Sequence, residues 1–118
     1  MKIMHSKNRP TINHIAEDFD EKDFQSLIYY NNVSLDIIQR FLTIQNSRQV
    51  LMLQEINDNF IEKNADIFLN KVCYDHIACF ANISKEFICK YYENLSLNYL
   101  YLNEYIDYKL LDTLEVFK

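Results

Sequence analysis

The 118-residue chain contains no glycine and a single proline. An average chain of this length would carry about eight glycines. Primed hairpin turns, glycine-rich phosphate loops and dinucleotide fingerprints all need residues that adopt positive φ or let a phosphate approach the backbone. Their absence removes most nucleotide-binding architectures and most tight hairpins. An all-helical chain with short polar connections tolerates the loss, although it forgoes the commonest helix C-cap. Asparagine is the expected substitute, and Asn31-Asn32, Asn46, Asn82 and Asn94 fall where the pattern places helix ends.

The apolar pattern repeats. An aliphatic residue followed by apolar residues at offsets 2, 5, 8 and 11 reads Val33, Leu35, Ile38, Phe41, Ile44 and again Val72, Tyr74, Ile77, Phe80, Ile83, with Asp36 and Asp75 at matching positions. A third copy, Leu95, Leu97, Leu100, Asn103, Ile106, is degraded at one position. A second half reads Ile83-Ser84 with Phe87-Ile88, and recurs as Ile56-Asn57 with Phe60-Ile61 and as Ile106-Asp107 with Leu110-Leu111. Ser84 and Asp107 are both N-cap types, so each unit is expected to hold two short helices, the second entered through a cap. Helices this short are marginal alone, and stacking of neighbouring units has to stabilise them.

The run Tyr74-x-x-Ile77, then Ile83-Ser84-x-Glu86-Phe87-Ile88-x-x-Tyr91-x-x-x-Leu95, resembles a short helical repeat scattered through proteins of large DNA viruses and some phages. That repeat typically has Trp where Tyr74 stands and Ser where Ala78 stands. The resemblance covers Tyr74 to Leu111 well, Val33 to Ile61 loosely and the first 30 residues not at all. It implies an all-helical array and says little about chemistry.

The expected fold class is therefore all-α, with six or seven helices stacked as short antiparallel pairs, in a small α-solenoid-like array or a compact helical bundle. The expected core is Leu35, Ile38, Phe41, Phe60, Ile77, Phe80, Ile83, Phe87, Leu100, Leu110 and Leu111. Residues 1–11, with Lys2, Lys7 and Arg9 and no acid, read as a loose basic tail. Residues 12–118 read as one domain with repeats at about 33–61, 72–88 and 95–111. Asp20 and Asp23 predict a helix from about Glu21 to Tyr30. Ser34 caps a predicted helix to Ile44, Ser47 starts the longest helical run, to about Ile56, and Asn57 caps a continuation to Leu69. Apolar residues make up 49% of the chain and charged residues 25%, which places it in the globular class. No stretch approaches the roughly 18 apolar residues of a membrane span, and the first ten residues have no signal-peptide core.

The net charge of −5 opposes direct binding to nucleic acid phosphates. Three cysteines, an odd number, argue against a disulfide framework and for a reducing, cytoplasmic setting. Cys73, His76 and Cys79, with Cys89 beyond them, carry zinc-ligand chemistry, but residues three apart on a helix rotate by about 60° short of a full turn per step and diverge. No metal and no cofactor are expected. His14 and Glu17 pair a base with a carboxylate, yet no nucleophile stands at a recognisable spacing, so no catalytic residues are assigned.

Two surface clusters stand out. Glu17, Asp18, Asp20, Glu21 and Asp23 form an acidic run; it either starts a helix or faces a basic partner. Six of the nine tyrosines lie between Tyr91 and Tyr108, and Tyr101, Tyr105 and Tyr108 fall at i, i+4, i+7, covering a small core or making a contact surface. The expected function is non-enzymatic protein binding by a viral, phage or mobile-element product. Its Asn, Ile, Tyr and Lys usage suggests an AT-rich genome, and its acidity fits an anti-CRISPR-like inhibitor of a host nucleic-acid-binding defence enzyme. The alternative is an assembly component that forms homo-oligomers through its tyrosines.

Overall fold

The computed structural model describes residues 9–117, so the expectation for Lys2 and Lys7 lies outside the described residues. The chain is all-α: nine short α-helices and a 3-10 turn against two strands of two residues each, among the described residues. It divides into two compact units at Glu55 and Ile56. The first holds β1 (Thr11–Ile12), α1 (Glu21–Tyr30), β2 (Asn32–Val33), α2 (Leu35–Phe41) and α3 (Ser47–Leu53). The second holds α4 (Asp58–Lys63), α5 (Ala65–Phe68), α6 (Tyr74–Phe80), α7 (Lys85–Tyr91), α8 (Leu97–Leu100), α9 (Tyr108–Thr113) and the 3-10 turn Glu115–Phe117.

Local chemistry explains where the helices start. Asp20 and Asp23 form a reciprocal capping box, each carboxylate accepting from the other's backbone N–H at 3.0 and 3.1 Å. Asn57 Oδ1 accepts from Phe60 N, Ser84 Oγ from Phe87 N and Asp107 Oδ1 from Lys109 N. Each cap satisfies one of the donors a helix start leaves open. Ser34 departs from its expected role, because its side chain makes no capping bond.

One motif recurs four times: an aliphatic residue, a polar residue, two further residues, then two apolar ones. It reads Val33-Ser34 with Ile37-Ile38, Ile56-Asn57 with Phe60-Ile61, Ile83-Ser84 with Phe87-Ile88, and Ile106-Asp107 with Leu110-Leu111. In every copy the polar residue is the N-cap of the helix that follows it, α2, α4, α7 or α9. The matching of Val33–Ile44 with Val72–Ile83 is thereby overturned. Leu35–Phe41 follows the extended residue, whereas Tyr74–Phe80 precedes it, so the two helices hold different places relative to the motif. Burial reports the mismatch directly: Ile44 is 66% exposed where Ile83 is 6%, and Val72 is 58% exposed where Val33 is 7%.

The extended residues pair in parallel. Thr11 and Ile12 register with Asn32 and Val33, and Asn57 forms an isolated parallel bridge with Asn82. Asn32 N donates to Pro10 O as Asn82 N donates to Ile56 O. Thr11 is thus a strand residue, and Arg9 Nη2 donates to the carbonyls of Ile28, Tyr29 and Asn31. A guanidinium at a helix C-terminus satisfies leftover carbonyls and matches the dipole. These two residues therefore do not behave as a loose tail.

Helix ends are managed without positive φ, which no described residue adopts. The chain leaves α1, α2, α3, α6 and α9 in extended conformation at Asn31, Leu42, Gln54, Ala81 and Leu114. Buried amides then take the orphan carbonyls. Gln54 Nε2 donates to Ile28 O and Asn31 O at 2.8 and 2.7 Å, while its Oε1 accepts from Val33 N at 2.8 Å. Asn103 Nδ2 donates to Ala78 O and Ala81 O at 2.9 and 2.8 Å, and its Oδ1 accepts from Tyr105 N. Ile28 and Asn31 stand as far before Val33 as Ala78 and Ala81 before Ile83, so one device occurs twice. Asn46 does related work, donating to Phe41 O and accepting from Thr43 N.

The expected core is partly confirmed. Ile38, Phe60, Ile77, Ile83, Phe87, Leu100 and Leu111 are buried, whereas Leu35, Phe41, Phe80 and Leu110 are half-buried. Phe24, Ile28, Leu51, Ile56 and Phe68 complete it, and Phe41 stacks on Phe24 at 5.3 Å between ring centroids. α3 covers only Ser47–Leu53, and α1 is the longest helix among the described residues. Asn64 splits the continuation expected to run to Leu69, its side-chain amide turning back onto Phe60 O.

Candidate functional site

In the first unit, Glu17, Asp18, Asp20, Glu21 and Asp23 are all exposed. Asp20 and Asp23 are committed to the capping box. Glu17, Asp18 and Glu21 have no ion pair among the described residues. The turn from Glu17 to Asp20 and the first turn of α1 bring all five carboxylates to one end of that helix. The helix-start reading of the run therefore holds for Asp20 and Asp23. Sequence reasoning passed over Tyr29 and Tyr30 at the other end of α1, exposed by 58% and 71% with rings 5.0 Å apart.

In the second unit the expected tyrosine face dissolves as a helical face. α8 ends at Leu100, Tyr101 is its C-cap, and Tyr108 opens α9, so the i, i+4, i+7 spacing spans a break. Tyr101 and Tyr108 remain exposed, by 43% and 58%, while Tyr105 is half-buried. Tyr101 Oη donates to Asp112 Oδ1 at 2.5 Å. The carboxylate holds that phenol above its ordinary pKa, since ionising the hydroxyl would cost the hydrogen bond and place two negative charges together. Tyr108 and Asp112 are i, i+4 on α9 and therefore neighbours. Tyr101, Tyr108 and Asp112 form one exposed patch, with Tyr99 and Leu102 also exposed on and just after α8.

The second unit also carries an ion pair between α4 and α7. Lys90 Nζ on α7 lies 2.7 Å from Glu62 Oε2 on α4, Tyr91 Oη donates to the same oxygen at 3.0 Å, and the ammonium sits 5.3 Å from the Tyr91 ring centroid. Lys90, then Tyr91, hold the Glu62 carboxyl below its usual range. The carboxylate raises Lys90 in return, and burial followed by Glu62 raises Tyr91. Beside it, a shallow open crevice of roughly 210 Å³ is lined by Asn57, Asp58, Asn59, Asn82, Ile83 and Ser84. Within it Asp58 accepts from both Ser84 N and Ser84 Oγ, and Asn57 Oδ1 accepts from Phe60 N.

No three His, Cys, Asp or Glu side chains gather to hold a metal among the described residues. Cys73 is buried, Cys79 and Cys89 are half-buried, and none of the three is in a disulfide. No helix among the described residues is long and apolar enough to cross a membrane. Comparison with protein families, with characterised proteins and with solved structures finds no match to the chain.

Proposed function

We propose that the protein acts without chemistry of its own, by occupying the surface of another protein. The partner we assign is a host nucleic-acid-binding defence enzyme, which makes this a viral, phage or mobile-element inhibitor of anti-CRISPR type working in the host cytoplasm. The observation that carries the reading is the exposed acidic end of α1, where Glu17, Asp18 and Glu21 have no ion pair among the described residues. Carboxylates so placed compete with phosphate for a basic channel, and a net charge of −5 steers them there while repelling nucleic acid.

Purified protein added to a panel of RNA-guided nucleases tests it. One of them loses target-DNA binding at stoichiometric inhibitor, and the triple variant Glu17→Gln, Asp18→Asn, Glu21→Gln associates about tenfold more slowly at low salt. Inhibition of no panel member, or an unchanged association rate, would reject the reading. A second reading, assembly through the tyrosines, is favoured by the exposure of Tyr99, Tyr101, Leu102 and Tyr108. Mass measurement in solution decides it, since assembly requires a multimer and inhibition does not.

A further inference from the structure

Two exposed rows run along α1 on the side away from the buried Phe24 and Ile28. One is Glu21, Gln25 and Tyr29, and the other is Asp23, Ser26 and Tyr30; residues three or four apart on a helix are neighbours. Both rows carry the same order of chemistry, a carboxylate at the start, an uncharged polar group in the middle and a phenol at the end. The two rings stand 5.0 Å apart and 66° from parallel, and they are 58% and 71% exposed. Neither lies under a cation among the described residues, although the same unit holds the Arg40 guanidinium 5.3 Å from the Phe41 centroid. Arg9, which reaches the same end of α1, is turned onto the carbonyls of Ile28, Tyr29 and Asn31.

We infer that this face of α1 is a docking surface for an arginine-rich segment of a partner protein, with arginines seated on the rings of Tyr29 and Tyr30 and a further cation on the carboxylates at the helix start. Charge selects the class of occupant. Residues 17–30 hold five acids against the single base Lys22, in a chain of net charge −5. A second copy or a nucleic acid strand meets like charge there, whereas a cationic segment is drawn in. The rings then select arginine within that class. A guanidinium is planar and weakly hydrated and lies flat on a ring while still donating to a carboxylate, whereas an ammonium is a strongly hydrated point charge. The dimensions agree with one short segment reaching both ends. Tyr29 stands eight residues beyond Glu21, about 12 Å along the helix axis, which about four residues of extended chain cross. The inference rests on the reading of the acidic end of α1 as facing a basic partner; it names the residue type that partner presents and adds Tyr29 and Tyr30 to the interface.

The probe is a pair of serine- and glycine-based peptides of about twelve residues, one with arginine at every third position and its twin with lysine there. Titrated against the full chain at low salt, the arginine peptide binds at least about fivefold tighter than the lysine peptide. The double variant Tyr29→Leu, Tyr30→Leu keeps apolar bulk and removes the rings, and it reduces that ratio to within about twofold. Tyr29→Phe with Tyr30→Phe keeps the rings and retains the ratio. Both positions are exposed, and circular dichroism identical to the parent assigns the effects to the surface. Equal binding of the two peptides, no binding of the arginine peptide up to about 1 mM, or a preference that survives the leucine variant would overturn the inference. So would a dimer that the leucine variant abolishes, which gives the face to a second copy. The triple variant at Glu17, Asp18 and Glu21 weakens both peptides and leaves their ratio intact. Failure of the acidic end therefore shows as unchanged affinity in that variant, and failure of the ring surface as equal binding of the peptides by the parent.

Discussion

Replacing Gln54 by leucine leaves the carbonyls of Ile28 and Asn31 without that amide donor and Val33 N without an acceptor, in a place where the side chain is 1% exposed. Each stranded buried group costs about 1 to 3 kcal/mol, so the substitution is expected to cost about 3 kcal/mol or more in chemical denaturation. Arg9 also donates to Ile28 O and Asn31 O, which makes the matching change Asn103→Leu the cleaner case for Ala78 and Ala81. A loss under about 1 kcal/mol at both positions would show that the amides are not the helix terminators. The Glu62 and Lys90 pair behaves differently, because it is solvent-exposed and such pairs contribute little. Its sign is still determined. A glutamate lowered in the folded state adds stability above the ordinary glutamate range and loses it as pH falls below about 4.3. A lysine raised in the folded state adds stability that disappears above about pH 10.4. The stability difference between the parent and Glu62→Gln should therefore be present near pH 7 and vanish toward pH 3, measured by urea titration at each pH.

At the scale of elements, the pairs depend on caps and on buried rings. Phe87 is 2% exposed on α7, and Phe87→Ala is expected to cost about 3 to 5 kcal/mol from lost burial and cavity formation. A cost below about 1 kcal/mol would place the ring outside the core. Ser84→Ala removes both a cap bond to Phe87 N and the hydroxyl bonded to Asp58, and about 1 to 2 kcal/mol is expected. Ser34→Ala removes no capping bond and should be nearly neutral, which separates copies of the motif that share a residue type but not a job. The repeat was legible because apolar spacing and N-cap chemistry are local. Its phase was not, since Val33–Ile44 and Val72–Ile83 present the same offsets whether a helix precedes or follows the extended residue. The order of helix and extended residue distinguishes them, and so does burial, at Ile44 and Val72 above all.

For the whole molecule, charge predicts which changes act on encounter and which on residence. Neutralising Glu17, Asp18 and Glu21 should slow association and flatten its salt dependence, whereas Tyr101→Ala and Tyr108→Ala should speed dissociation of a captured partner. Survival of binding within about threefold after both sets would place the interface elsewhere. Elemental analysis of protein purified without chelator should find no stoichiometric zinc, because no three His, Cys, Asp or Glu side chains gather among the described residues.

Helical class, the start of α1, the capped second helices and the exposure of the acidic run are properties of short stretches, and the amino-acid sequence determined them through spacing, cap chemistry and charge. The absence of glycine also carried through, as a chain with no positive φ among its described residues. What required tertiary structure was every feature whose partners lie far apart in the chain. Gln54 reads as an ordinary polar residue until the end of α1 comes beside it. Arg9 reads as a tail charge until three carbonyls converge on it. The tyrosine spacing reads as one helical face until the chain breaks between α8 and α9, after which Asp112 takes its place beside Tyr101. The physical reason is common to all three: a polar side chain's role depends on which unsatisfied groups folding delivers to it, and no local pattern encodes that delivery.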